Sequence, residues 1–114
     1  MHKNKFISNF DSLKMQSTSH SIGQKFVFFR NDEFQSPLTQ IAIGTLNSEE
    51  TVPFHLHESM EEVFYILKGN GTFYIGDEKI DVEKNSCIKI PAGYLHSIKA
   101  KIELQFYYFG VAIK

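Results

Sequence analysis

Short apolar runs recur along the chain with turn-forming residues between them, and this rhythm predicts strands. From Lys25 onward the pattern is β throughout. Residues 26–29 (Phe-Val-Phe-Phe) predict a first strand. Residues 38–46 predict a second, with Ile41 and Ile43 on one face in line with Thr39 and Thr45. Residues 51–57, 62–68, 72–75, 80–82, 86–90, 95–100 and 103–113 bring the expected count to about nine. Asn31-Asp32-Glu33, Asn47-Ser48-Glu49-Glu50, Gly69-Asn70-Gly71, Gly76-Asp77-Glu78-Lys79 and Glu83-Lys84-Asn85 separate them as turns. Gly69-Asn70-Gly71 reads as a tight turn after which the chain returns, because glycine permits positive φ. No run of helical period intervenes, so the expected class is an all-β sandwich or barrel.

The first 25 residues are polar and weakly patterned. Phe6, Ile7, Phe10, Leu13 and Met15 suggest an arm or extra strand packed on the body or on a partner subunit. The Ser/Thr-rich stretch 16–21 reads as a loop, and its His20 as a solvent-exposed histidine. The domain proper is expected over 26–114. Eleven Phe and five Tyr, with no Trp, favour a filled β core within this single-domain length of 114 residues.

Charge narrows the partners. The formal net charge is −1 and Arg30 is the lone arginine, so bidentate phosphate clamping by several arginines is excluded and neither nucleic acid nor an acidic membrane is expected. The single cysteine, Cys87, rules out an internal disulfide and reads as a small packing residue in a strand. Met1-His2-Lys3-Asn4-Lys5 is not followed by a signal-peptide core, and the apolar stretch 106–113 is too short to span a bilayer. A cytoplasmic protein is the expectation.

The chemistry gathers at His55-Leu56-His57. On a strand, residues i and i+2 share a face about 7 Å apart, close enough for two imidazoles to converge on one ion. A carboxylate follows at Glu61 or Glu62, and Pro91-Ala92-Gly93-Tyr94-Leu95-His96 adds a third imidazole at a later strand end. If the histidines face inward, Glu62, Phe64 and Ile66 can share the interior face of the next strand, and Glu61 would join Val63, Tyr65 and Leu67. Imidazole nitrogens with a carboxylate suit Mn, Fe, Co, Ni, Cu or Zn, and the lack of thiolates argues against a structural zinc site. The competing reading is a polar barrel mouth in which these histidines bond only to Glu62 and water.

Residues 55–100 resemble the cupin superfamily, small double-stranded β-helix (jelly-roll) barrels defined by two motifs. His55, His57, Glu62 and Gly69 match the first, G-x5-H-x-H-x(3,4)-E-x6-G, and the six-residue gap to Gly69 selects Glu62 over Glu61. Pro91, Gly93 and His96 match the second, G-x5-P-x-G-x2-H-x3-N. The sequence departs at Glu49 and Asn85, where the motifs open with Gly, and at Ala100, where the second closes with Asn. The resemblance implies a divalent transition metal held by His55, His57, Glu62 and His96, and a homodimer formed through sheet faces, sometimes with exchanged N-terminal strands. The aromatics of 106–109 and the apolar run 63–67 occupy both faces of their strands, which fits such association.

Three functions are compatible with this reading. The first is a mononuclear metalloenzyme of isomerase or oxygenase type acting on a small molecule, such as a sugar derivative, enediol or dicarbonyl compound, with Tyr108 or Gln105 relaying protons. The second is a module that binds a small ligand or the metal without turnover. The third is a metal-free sugar-nucleotide epimerase or ketoisomerase, which the scarcity of arginine disfavours.

Overall fold

The computed structural model describes residues 5–113 and consists almost wholly of strands in two antiparallel sheets. In chain order these are β1 (Gln16–Ser17), β2 (Gln24–Arg30), β3 (Leu38–Leu46), β4 (Thr51–His55), β5 (Met60–Lys68), β6 (Asn70–Ile75), β7 (Glu78–Glu83), β8 (Cys87–Ile90), β9 (His96–Ala100) and β10 (Leu104–Ala112). Single 3-10 turns at Phe10–Ser12 and Asn31–Glu33 complete the regular structure among the described residues. One sheet runs β1-β2-β3-β10-β5-β8 and the other β4-β9-β6-β7. The expected segment 1–4, with the N-terminal residues read above for targeting, lies outside the described residues, as does Lys114.

Period-two alternation decides which side chains fill the barrel. On β10, Leu104, Phe106 and Tyr108 face in, while Tyr107 and Phe109 face out opposite Tyr65 and Val63 of β5. Glu62, Phe64 and Ile66 form the inward set on β5, as the parity argument required. From the other sheet come Val52, Phe73, Ile75, Val82, Ile98 and Ala100. Phe64 meets Phe73 and Phe106 edge-on, with ring centroids 5.3 and 5.4 Å apart, and stacks nearly parallel on Tyr108 at 5.4 Å and 8°. Edge-on and offset contacts are the arrangements the ring quadrupoles favour.

Several elements differ from the sequence reading. The strand expected over 51–57 stops at His55, so His57 stands in the following loop. Gly69 does not close a hairpin, because β5 and β6 belong to different sheets. It is a corner at which the chain crosses over, with φ of +86° and a Cβ position blocked by the Glu103 carbonyl and the Leu104 backbone, so glycine is required there. Cys87 is exposed on β8, the edge strand, rather than packed. Within the stretch 16–21 read as a loop, Gln16–Ser17 form β1, which pairs with β2, and Phe10 meets Phe26 edge-on at 4.9 Å.

The two departures from glycine are legible as backbone geometry. Glu49 and Asn85 both adopt left-handed φ, at 70° and 75°. Asn85 is a tolerant residue there, and its side chain also accepts a hydrogen bond from Tyr65 (2.9 Å).

Candidate metal centre

His55 ends β4, His57 lies two residues beyond it, Glu62 is near the start of β5, and His96 opens β9. The ladder between β4 and β9 pairs Val52 with Ile98 and then His55 with His96, so β4 carries an extra residue between those pairs. That bulge leaves Pro53 and Phe54 both exposed and returns His55 to the interior, which a regular strand of alternating faces would not do. Ser97 secures the bulged region, its hydroxyl donating to the Val52 carbonyl at 2.6 Å.

The ring nitrogens of His55, His57 and His96 lie within 4.8 Å of one another. The His55 and His96 rings are 4.2 Å apart between centroids. Two of the rings are oriented by the backbone. His96 Nδ1 donates to the Tyr94 carbonyl (2.8 Å) and His55 Nδ1 to the Pro53 carbonyl (2.9 Å). Since a carbonyl can only accept, each bond places the proton on Nδ1 and leaves the Nε2 lone pair free. His96 is 2% exposed, and its Nε2 has no hydrogen-bond partner. A buried polar nitrogen left unpaired costs about 1–3 kcal/mol, so it calls for a ligand.

Glu62 is buried at 8% exposure, with Oε1 3.6 Å from His96 Nε2 and 3.7 Å from His57 Nε2. These separations are long for hydrogen bonds and near the ~3.4 Å between neighbouring ligands of a tetrahedral ion with bonds of about 2.1 Å. The donor set of three imidazoles and a carboxylate therefore fits a divalent transition metal, with Glu62 at the margin of the three-histidine group.

Electrostatics separate the histidines. Burial lowers the His96 pKa, but Glu62 and the Tyr94 carbonyl outweigh it and leave it raised. For His57, burial dominates and His55 and His96 add to it, so its pKa falls despite Glu62. Tyr108, inward on β10, has its phenol pushed up to about 12, by burial first and by the Glu62 carboxylate second, against a hydrogen bond with Gln40. It keeps its proton at neutral pH and can donate to a ligand oxygen.

A cavity of about 130 Å³ opens above the cluster. The sequence reading missed one of the residues that line it. His20 is half-buried rather than exposed, lines the cavity, and stands 5.7 Å from the His55 ring between centroids. Its pKa is lowered by burial and then by His55, with Lys25 contributing. Of the two expected proton-relaying groups, Tyr108 lines the cavity and Gln105 does not, while Gln40 does.

The cupin domain profile matches residues 42–107, more than half of the chain. The chain belongs to the cupin family. An uncharacterized protein of Methanocaldococcus jannaschii is 40% identical over 45 residues, which are 40% of this chain and 36% of that protein. An uncharacterized HTH-type transcriptional regulator of Bacillus subtilis is 40% identical over 50 residues, 44% of this chain and 17% of the regulator. This cupin thus matches well under two thirds of the length of either relative. Among solved structures, a predicted oxalate decarboxylase from Thermotoga maritima superposes with a TM-score of 0.83 over 95% of this chain and all of the other, at 18% identity. At that identity the likeness bears on the jelly-roll fold alone. No helix among the described residues is long and apolar enough to cross a membrane.

Proposed function

We propose that the protein is a mononuclear metal-binding cupin that takes a small molecule at the ion, with His55, His57, Glu62 and His96 as ligands. The observation that carries this reading is the buried Nε2 of His96, which makes no hydrogen bond and lies 3.6 Å from Glu62 Oε1 while Nδ1 is tied to the Tyr94 carbonyl. A barrel histidine serving only as polar lining would find a hydrogen-bond partner for that nitrogen. When bound, the ion supplies Lewis-acid polarisation of ligand oxygens. The chain's own groups do the rest: the Pro53 and Tyr94 carbonyls fix two imidazoles, and the Tyr108 hydroxyl, in the cavity lining, can donate a hydrogen bond to a ligand oxygen.

Metal analysis tests the site. The wild-type chain, refolded or grown with Mn, Fe, Ni, Co, Cu or Zn available, is expected to retain close to one equivalent. His96→Ala is expected to lower metal affinity at least tenfold while keeping its fold by circular dichroism. Less than about a tenth of an equivalent in the wild type would contradict the proposal, since a cage of this donor set binds tightly.

For the chemistry, the first reading is turnover of a small oxygen-rich compound, of isomerase or oxygenase type. The second reading, a module that binds without turnover, is favoured by the partial match to the HTH-type transcriptional regulator of Bacillus subtilis. Metal-loaded protein that binds a ligand but leaves it chemically unchanged by NMR over hours selects the second. We also infer a homodimer in the cytoplasm. The support for association is the outer face of the six-stranded sheet, where Tyr65 and Tyr107 remain about 40% exposed beside Val63, Phe109 and Phe28.

A further inference from the structure

One wall of the cavity, adjoining the histidine cluster, is built by the N-terminal arm and β2, and it carries a lysine. Lys25 pairs with Gly44 across β2 and β3, between inward-facing Ala42 and Leu46, and lies on the same face of β2 as buried Val27. Alternation therefore points its side chain into the barrel mouth, and it lines the cavity. A half-buried ammonium in such a place ordinarily pairs with a carboxylate. No carboxylate forms an ion pair with it among the described residues; Asp32, Glu49, Glu62 and Glu103 each pair with another group.

His20 stands beside it on a loop whose shape is fixed. Ser21 and Gly23 both take left-handed φ, at 64° and 78°. The Thr18 hydroxyl donates to the Ile22 carbonyl at 2.8 Å, and the Ser21 amide donates to the Thr18 carbonyl at 3.1 Å. Gly23 fits against Leu46 and the Thr45 carbonyl, where a Cβ would approach both to 2.7 Å. The loop is thereby seated on the end of β3 with the His20 ring turned over the cavity. His20 is not a fourth member of the tight three-histidine group, yet its ring comes within 5.7 Å of His55. The two rings are neighbours, so a ligand held at the cluster also meets His20.

We propose that His20 and Lys25 form an anion clamp that takes the carboxylate of a small organic acid, whose second oxygen function faces His55, His57 and His96. The far end of that ligand rests on the metal reading; the clamp itself does not. Size agrees with charge: about 130 Å³ is close to the ~150 Å³ cavity that accepts a benzene-sized guest, so a ligand of about six non-hydrogen atoms fits. A mononucleotide or an intact sugar nucleotide is far larger. The arm is then part of the binding site rather than a mere cover, and Lys25 sets the preference for an anion over an isosteric neutral molecule.

The test is an NMR titration of the full, isotope-labelled chain loaded with zinc, using pyruvate and the neutral pyruvamide, each of six non-hydrogen atoms. The wild type is expected to bind pyruvate at least tenfold more tightly than pyruvamide, with shifts at His20 and Lys25. Lys25→Gln is expected to weaken pyruvate about tenfold, leave pyruvamide and the zinc content unchanged, and so abolish the preference, while Lys25→Arg retains it. Equal binding of the two probes by the wild type, or a preference that survives Lys25→Gln, overturns the clamp. Should the wild type hold no zinc, the metal reading fails separately, and the same titration of the metal-free chain judges the clamp. Shifts at His20 and Lys25 with pyruvate but not pyruvamide then support it, and their absence overturns it.

Discussion

At His96 two influences on one imidazole oppose each other, and the outcome sets the acid–base behaviour of the site. Burial disfavours the imidazolium, yet Glu62 and the Tyr94 carbonyl raise the pKa; at His57 burial prevails. In the metal-free chain, a raised folded value means that the His96 contribution to stability is complete below the ordinary histidine pKa of about 6.5. It is lost as pH rises through the folded value. The depressed values of His57 and His20 act in the other sense: their contribution is present above about 6.5 and is lost as pH falls through their folded values. A long-range ¹H–¹⁵N titration of the imidazoles is expected to show His96 protonating at a higher pH than His57. Because metal must displace the His96 proton, affinity for zinc is expected to begin falling at a pH above about 6.5. Reversal of the titration order would contradict the assigned roles of Glu62 and the Tyr94 carbonyl.

Elements decide which of these residues meet. Most strands were readable because short apolar runs are bounded by turn residues, and the inward parity of Glu62 followed from Phe64 and Ile66. The bulge on β4 was not readable, since nothing in Val52-Pro53-Phe54-His55 except the proline marks an unpaired residue; His55 and His57 meet although they do not share a strand. The loop carrying His20 was hidden for a different reason. Its place depends on two left-handed residues and on contact with Leu46, whereas its Ser/Thr composition speaks only of a loop. This gives a direct test. Gly23→Ala meets both a left-handed backbone, costing about 1–2 kcal/mol for an L-residue, and a blocked Cβ site. Amide exchange at Ile22 is expected to accelerate by tenfold or more, while amides of β5 and β10 in the barrel core stay protected. Unchanged exchange at Ile22 would show that the loop is not held as described.

For the whole molecule, the cluster ties the two sheets together, because β4 and β9 come from one and β5 from the other. The family motifs supplied that long-range meeting; strand patterns alone left the pairing of distant segments open. The same patterns did reveal a sheet with apolar residues on both sides. Its outer face, centred on Tyr65 and Tyr107, is the surface through which a second copy is expected to pack. Analytical ultracentrifugation is expected to give twice the mass of 13.1 kDa for the wild type. The paired change Tyr65→Lys and Tyr107→Lys is expected to shift the dissociation constant upward by at least tenfold. Sedimentation of the wild type as a monomer at micromolar concentration would refute the pairing.

The near-parallel contact of Phe64 with Tyr108 makes the floor of the cavity continuous with the packing that holds the barrel closed. Phe73 leans on the other side of that column. The phenol that lines the cavity is consequently anchored by the hydrophobic interior. A change at this tyrosine would therefore alter the shape of the cavity and the thermal robustness of the barrel together.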